Sequence, residues 1–476
     1  MKQLVITLLS LSMMISCKKE VKMEQTQTPE VMAAVSPEMM ENAVIYEANI
    51  RQYSPEGTFN EFTKDIPQLK ELGIKVIWVM PIFPISETKR KATGDKFAHE
   101  IEDENERKKY LGSYYAVTDF TKVNPEFGTI EDFRKLVKTA HDNGMYVILD
   151  WVPNHTGWDH VWIKQSPDYY TKNAKGEVTE PLNPDGTPVG WADVADLNYN
   201  NQDMRKEMIE DMSYWLKEES IDGFRCDVAG SVPLDFWQQA IPQLRDIKPV
   251  FMLAEAWEPE LLKDNLFDMC YAWDGHHLIN HIAQGKKNVN DWDNYINNLS
   301  TKYEADDILM NFVDNHDENS WNGTIPSRLG NAAEIFTALT YVMPGMPLVY
   351  SGNEYGLSHS LKFFEKDQIP KEKGEDWELR KKLGNLKNNF VAINGGKNKA
   401  SYKKISIEKS ERMLAFEREK EGKKIIFIGN LSAQPTKTKL PFSGNFTNYM
   451  SNQKENIATD TEKDFAPWEY MILVVE

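Results

Sequence analysis

From residue 44 onward, short apolar runs alternate with longer amphipathic stretches. The runs Val44–Ala48, Lys75–Met80, Tyr146–Trp151, Gly223–Val228, Val250–Ala254, Met269–Trp273, Ile308–Phe312 and Pro347–Tyr350 have the length and side chains of strands. Among them Phe62–Leu72, Ile130–Asn143, Asp203–Glu218 and Phe236–Arg245 predict helices. In Ile130–Asn143 the residues Phe133, Leu136, Val137 and Ala140 share one helical face, and Gly144 supplies a stop. Strands alternating with helices imply a parallel sheet, and eight such units predict an α/β fold, a closed (β/α)8 barrel of the TIM type.

Three stretches break the rhythm. Residues 86–112 are charged and follow the second strand. Residues 156–197 carry Gly, Pro, Asn and Trp after the third strand and are long enough for a small inserted domain. From residue 396 the pattern becomes all-β, with runs at Tyr402–Ile407, Met413–Arg418, Lys424–Asn430 and Tyr470–Val475, and predicts a C-terminal sandwich over residues 396–476. The barrel is then expected over residues 41–155 and 198–395.

Composition narrows the function classes. The chain has 476 residues, 41% of them hydrophobic, which excludes a disordered tail and leaves ample material for a large core. The net charge of −18 repels phosphate backbones, so nucleic acid is not an expected partner. The three cysteines, Cys17, Cys226 and Cys270, include no CxxC pair and give no thiolate metal site or redox couple. Thirteen Trp and 19 Tyr are many, and flat sugar rings are among the ligands that use exposed aromatics.

The N-terminus reads as an address. Lys2 precedes an apolar run, Leu4–Met14, too short to span a bilayer, and Cys17 follows Ser16 directly. This resembles a bacterial lipoprotein signal over residues 1–16, cleaved before a lipid-modified Cys17. Residues 17–40, without clear period, are expected to be a tether, and the protein is expected to be exported and membrane-anchored at the cell envelope.

In a barrel of this kind, reactive groups come from the C-terminal ends of strands. The third strand ends in Asp150 with Asn154 and His155 just beyond, the fourth in Arg225 and Asp227, the fifth in Glu255, and the seventh in Asp314, Asn315, His316 and Asp317. Buried like charges disfavour one another, so several carboxylates at one mouth are hard to explain by stability alone. Arg225 and Asp227, two apart on a strand, share a face.

These segments resemble the four signature motifs of glycoside hydrolase family 13, the α-amylase family: Asp150 to His155, Gly223 to Asp227, the apolar run ending in Glu255, and Asn315 to Asp317. Asp196-Leu197-Asn198 and Gly112-Ser113-Tyr114-Tyr115 add to the likeness. The resemblance implies retaining cleavage of α-1,4-glucosidic bonds in starch-like glucans or maltooligosaccharides by double displacement. It implies Asp227 as nucleophile, Glu255 as acid and base, and Asp317 as the carboxylate that grips sugar hydroxyls. His155 and His316 would bond hydroxyls of the same ring, Tyr115 would stack beneath it with Tyr114 the competing assignment, and Asp150 would pair with Arg225. Asn154 and Asn315 would support the motifs. Burial and the charges of Asp227 and Asp317 are expected to raise Glu255, and Arg225 to keep Asp227 ionised. The same triad would serve an α-glucanotransferase or an oligosaccharide α-glucosidase. A non-catalytic glycan binder is disfavoured because Asp227, Glu255, Asp317 and Arg225 are all present.

The family's Lys-His pair after the nucleophile is replaced by Gly230 and Ser231, so the leaving-group side is expected to differ. The chemistry itself needs no cofactor. A structural calcium near Asn154, which the family implies, is left open here, since no clear set of side-chain oxygen ligands is visible. Trp158, Trp162, Trp191 and Trp257 lie near the mouth in sequence, with sugar stacking and core packing both open, core favoured for Trp162.

Overall fold

Eight parallel strands close into a barrel in chain order. They are β1 (Val44–Ala48), β2 (Ile74–Val79), β3 (Tyr146–Trp151), β4 (Gly223–Cys226), β5 (Phe251–Ala254), β6 (Met269–Tyr271), β7 (Ile308–Asn311) and β8 (Met346–Tyr350). β1 pairs with both β2 and β8, which completes the ring. The structure, a computed structural model, describes residues 33–92 and 96–475. The expected signal sequence and Cys17 lie outside the described residues.

The two-residue period of each strand divides its side chains between lumen and helices. Ile45, Val76, Ile148, Phe251, Met269, Ile308 and Leu348 form a cluster separate from the one that holds Val44, Ile77, Val147 and Met252. The first set fills the lumen and the second meets the surrounding helices. Moving along the lumen-facing positions toward the C-terminal ends, the apolar layer gives way to Glu47, Trp78, Asp150 and Arg225, all fully buried. The polar mouth is the upper layer of the same alternation that builds the core.

Local signals explain the element boundaries. α1 (Pro37–Asn42) starts at Ser36, whose hydroxyl accepts from the Met39 N–H. α2 (Phe59–Leu69) and α3 (Ile130–Asp142) follow β1 and the long second loop, and α3 opens with a Thr129–Asp132 capping box. α4 (Gln202–Lys217) and α5 (Leu234–Ile247) flank β4. The expected tether ends early: Val35, Met39 and Met40 are buried in the lumen cluster, so α1 plugs the base of the barrel and residues 35–40 belong to the packed body. The sixth strand also stops sooner than expected, because Trp273 begins a helix, Trp273–Ala283.

The inserted segment leaves and returns through a ribbon in which His155–Gly157 pairs antiparallel with Val194–Asp196. Beyond the barrel, β9 (Met413–Lys420), β10 (Lys423–Asn430), β12 (Gly444–Asn448), β13 (Gln453–Ile457) and β15 (Tyr470–Val475) form one antiparallel sheet together with the short strand Lys403–Lys404. β11 (Thr436–Leu440) and β14 (Thr461–Phe465) pair as a separate ribbon, and Leu440 and Phe465 pack with Met413, Ile428 and Leu473 of the sheet. Arg418 of β9 ties this all-β part to the barrel. Its buried guanidinium donates to the carbonyls of Val342 (2.6 Å), Asn394 (2.6 Å) and Ser401 (2.8 Å), and burial pulls it down to about 9.

Gly223 opens β4 at φ +153°, and a Cβ there would lie 1.9 Å from the Phe251 carbonyl oxygen of β5. Only glycine lets β4 and β5 approach this closely. Gly223→Ala is expected to destabilise the fold by about 1–3 kcal/mol, the usual scale of overpacking. A lower urea midpoint at unchanged m-value would register this, and an unchanged midpoint would contradict it.

Candidate active site

Arg225 stands at the centre of the barrel mouth with no solvent exposure. Its Nη1 donates to Asp150 Oδ1 (2.8 Å) and Asp227 Oδ1 (3.0 Å), and its Nε donates to the Tyr271 hydroxyl (3.1 Å). Nη2 makes an ion contact with Glu255 Oε2 at 2.8 Å. The Trp78 ring lies under the guanidinium at 4.8 Å. One fixed cation therefore organises carboxylates from β3, β4 and β5, which are adjacent in the barrel. Asp150 is buried and also accepts from Trp78 Nε1 (3.0 Å) and the Tyr115 hydroxyl (3.1 Å), so it is a partner of the cluster without access to the cleft.

Asp227 sits where β4 ends. The next residue, Val228, adopts left-handed φ +35°, ψ +46°, a costly conformation for a β-branched side chain. That turn aims the Val228 N–H at Glu255 Oε2 (2.7 Å). Glu255 thus receives a backbone donor and a guanidinium on one oxygen.

The proton balance of this pair differs from the expectation. Burial pushes Asp227 up, the charge of Glu255 pushes it further, and Arg225 does not offset them, so it lies well above the usual carboxylate range. Burial also pushes Glu255 up, but Arg225, the Val228 N–H and His316 outweigh it and hold the carboxyl below its ordinary value. In the ligand-free mouth the surroundings therefore favour the charged form of Glu255 over that of Asp227. The expected assignment, Glu255 raised and Asp227 held ionised, is reversed because Arg225 bonds both residues and the strained Val228 turn favours Glu255.

Asp317 and His316 arrive from the turn after β7. His316 Nδ1 donates to Glu47 Oε1 at 2.5 Å, its Nε2 lies 2.7 Å from the Tyr115 hydroxyl, and Asp317 Oδ2 is 3.4 Å away. The Tyr115 hydroxyl spends its proton on Asp150, so it accepts from Nε2, and both ring nitrogens carry hydrogen. Burial opposes that charge, but Asp317 and Glu47 outweigh it and raise His316 to about 9. Asp317 is the most open of the three cleft carboxylates, with its side chain 38% exposed against 11% for Asp227 and 13% for Glu255.

Tyr115 stacks on His316 with ring centroids 5.5 Å apart, whereas Tyr114 turns away to Asn49 Oδ1 (3.1 Å) beneath Arg51. His155 is buried beside the cleft, and burial lowers it to about 4, so it is neutral at pH 7. Its Nδ1 faces Asn154 Nδ2 at 3.2 Å. Asn315 stays behind the cleft, where its Oδ1 accepts from the Glu318 N–H (2.7 Å). Of the four tryptophans, Trp162 is core, Trp158 lies half-buried under Lys89, and Trp191 and Trp257 are exposed. Trp191 lines the cleft next to His155, and the cleft encloses about 530 Å³.

Two further groups went unnoticed in the sequence. Glu47, a carboxylate within an apolar β1 run, is fully buried and has one oxygen without a hydrogen-bond partner, leaving His316 as its counter-charge. A lone charge in the middle of a strand is the signal that marks it. Trp321, just after the seventh-strand motif, stands exposed at the cleft rim.

Asn154 immediately precedes the ribbon strand His155–Gly157. Among the described residues no three His, Cys, Asp or Glu side chains gather to hold a metal. The junction there is closed by protein groups: the Tyr199 hydroxyl donates to the Pro153 carbonyl (2.7 Å), and Arg205 joins the Tyr199 carbonyl (2.6 Å) to Asp235 (2.9 Å).

The catalytic-domain model of the alpha-amylase family matches residues 25–183 and 188–405, and the chain belongs to that family. It is similar to alpha-amylase MalA of Haloarcula japonica, 24% identical over 89% of this chain and 60% of the relative. It is also similar to alpha-amylase 3 of Dictyoglomus thermophilum, 27% identical over 67% of this chain and 65% of the relative. The chain thus spans about three fifths of the length of these curated relatives. Among solved structures, a noncanonic maltogenic alpha-amylase AmyB from Thermotoga neapolitana superposes with a TM-score of 0.79 at 28% identity, over 91% of this chain and 99% of that one.

Replacing Glu47 by Gln keeps a hydrogen-bond acceptor for His316 and removes its charge. Nitrogen-15 NMR of the His316 ring should show a titration near 9 in the native protein and a midpoint lower by at least one unit in Glu47→Gln. An unmoved midpoint would show that Glu47 does not hold the imidazolium.

Proposed function

We propose that the protein is a retaining glycoside hydrolase that cleaves α-1,4-glucosidic bonds in starch-like glucans or maltooligosaccharides. The observation that carries this is the pairing of Asp227 and Glu255 on one guanidinium, which brings a carboxylate from the end of β4 beside one from the end of β5. A retaining pair works at a short separation of about 5–5.5 Å, while an inverting pair needs about 6.5–9.5 Å to admit a water. In this reading Asp227 attacks the anomeric carbon and forms a glycosyl ester. Glu255 gives its proton to the departing oxygen and then takes one from water. Asp317, open to the cleft, bonds ring hydroxyls, His316 holds Asp317 and Tyr115 in place, and Tyr115 supplies the ring face beneath the reacting sugar.

The reaction needs one proton on the pair, and the free site favours it on Asp227 over Glu255. The productive complex requires it on Glu255. A sugar lodged between the carboxyls offers Glu255 the glycosidic oxygen as an acceptor. Activity should therefore fall at low pH, when the pair gains a second proton, and at high pH, when it loses its only one.

Water is not the sole acceptor such an ester accepts. A sugar hydroxyl attacking in place of water would give glucanotransferase activity. Chromatography of maltotriose digests separates the outcomes, since products longer than the substrate report transfer.

The chemistry is tested by α-glucosyl fluoride, whose leaving group needs no proton. Glu255→Gln should lose at least a thousandfold in kcat on maltooligosaccharides yet still accept the fluoride and accumulate a glucosyl adduct, found by mass spectrometry on the peptide carrying Asp227. Glu255→Gln with undiminished turnover of oligosaccharides, or an adduct on another residue, would overturn the assignment.

We also propose that the protein is exported and held at a membrane by lipid on Cys17, which Lys2, the Leu4–Met14 run and the position of Cys17 support. Cys17→Ser should move the protein from the membrane fraction to the soluble fraction, and unchanged fractionation would contradict the anchor.

A further inference from the structure

Directly after Asp317 the chain makes one π-helical turn, Glu318–Asn322, which Gly323 ends at φ +98°. Such turns are rare and collect at functional sites. The hydrolytic chemistry proposed above has no use for this one, yet buried groups hold it on two sides. Glu318 is buried, and its Oε2 lies 3.0 Å from Nε2 of the buried His276. Its Oε1 accepts from Asn322 Nδ2 at 3.0 Å, which ties the two ends of the turn together. Asn319 is fully buried, and its Oδ1 accepts from the Leu361 N–H of the loop after β8 at 2.8 Å. The turn is therefore fixed, and the side chain it leaves out in the cleft is Trp321. At 57% exposure Trp321 is more open than any other large apolar side chain among the described residues.

The indole has companions. Phe363 and Phe364, from the loop after β8, lie 5.2 Å and 5.9 Å from it by ring centroid. Phe363 in turn lies nearly parallel to Tyr115, 6.4 Å away at 12°. Their loop is pinned from behind, where Arg51 donates to the Phe363 carbonyl (3.3 Å) and the Leu111 N–H donates to the Phe364 carbonyl (2.7 Å). Tyr115 is 8% exposed, Phe363 is half-buried and Trp321 is open, and all three line the cleft. A row of rings thus climbs from the place of the reacting sugar to the rim. An indole held in water by a fixed turn forgoes the stabilisation of about 25 cal/mol per Å² that burial would bring, so stability does not explain its position. A flat apolar face rimming a cleft with polar groups at its floor suits a sugar ring, which pairs a face of C–H groups with hydroxyls at its edge.

We infer that Trp321, backed by Phe363, is the platform for a second glucose residue of the substrate, next along the chain from the one over Tyr115, and that it sets a preference for oligosaccharides over substrates with a single sugar. The inference rests on the function proposed above, in which Tyr115 lies beneath the reacting ring. Trp321 acts on binding and takes no part in bond breaking.

The test measures kcat and KM of the full chain on maltoheptaose and on α-glucosyl fluoride, which fills only the place of the reacting ring. Trp321→Ala is expected to lower kcat/KM for maltoheptaose at least about tenfold more than for the fluoride, with most of the difference in KM. Trp321→Phe, which keeps a ring, is expected to recover part of that loss. Equal losses on the two substrates would trace the effect to the turn that carries Asp317 and would overturn the platform. A maltoheptaose KM unmoved by Trp321→Ala, or a Trp321→Phe variant no better than Trp321→Ala, would overturn it as well. In each of these cases the native protein still turns over both substrates and the hydrolase reading stands. A native protein that turns over neither would overturn the proposed function and the inference with it.

Discussion

The architecture of the mouth depends on one buried guanidinium. Carboxylates from three successive strands converge on a space from which water is largely excluded, and uncompensated charges of one sign do not coexist there. Arg225 resolves the conflict by bonding Asp150, Asp227 and Glu255 at once while the Trp78 ring covers its face. A lysine would not do this, since a single ammonium lacks the planar fork that reaches several partners in fixed directions. The barrel's contribution is to bring β3, β4 and β5 side by side with lumen-facing positions in register, and Gly223 lets β4 and β5 approach closely enough for it.

A second charge balance stands opposite the first. Glu47 and Asp317 hold His316 as an imidazolium, and Tyr115 links that imidazolium to Asp150 and so to the Arg225 cluster. The two cations and the carboxylates between them form one continuous network around the cleft. Its members are fixed by strands and short turns, which suits a site that must meet a transition state with groups already in place.

Much of this was legible in the sequence, because order on strand ends is a one-dimensional property. The alternation of apolar runs fixed the eight-strand count, and Asp150, Arg225, Asp227, Glu255 and Asp317 stand at the ends where such a barrel exposes its chemistry. Other features depend on contacts across the fold. Glu47 looked like an isolated charge in a strand until its distance to His316 gave it a partner. The downward shift of Glu255 depends in part on the Val228 turn, whose left-handed backbone no pattern of side chains announces. The strands Thr436–Leu440 and Thr461–Phe465 escaped notice because Lys, Thr and Glu dominate them, although every second residue of the former is buried. The loop after β2 was visible as a break in rhythm, but not as a segment held by Asp159 and Phe364.

The central claim is that Arg225 and the Val228 N–H favour the charged form of Glu255 over that of Asp227 in the free site. Neutron diffraction from a deuterated, ligand-free crystal near pH 7 addresses this directly. The account predicts a deuteron on Asp227, with Glu255 bare and both nitrogens of His316 deuterated. A deuteron on Glu255, or none on either carboxyl, would contradict it.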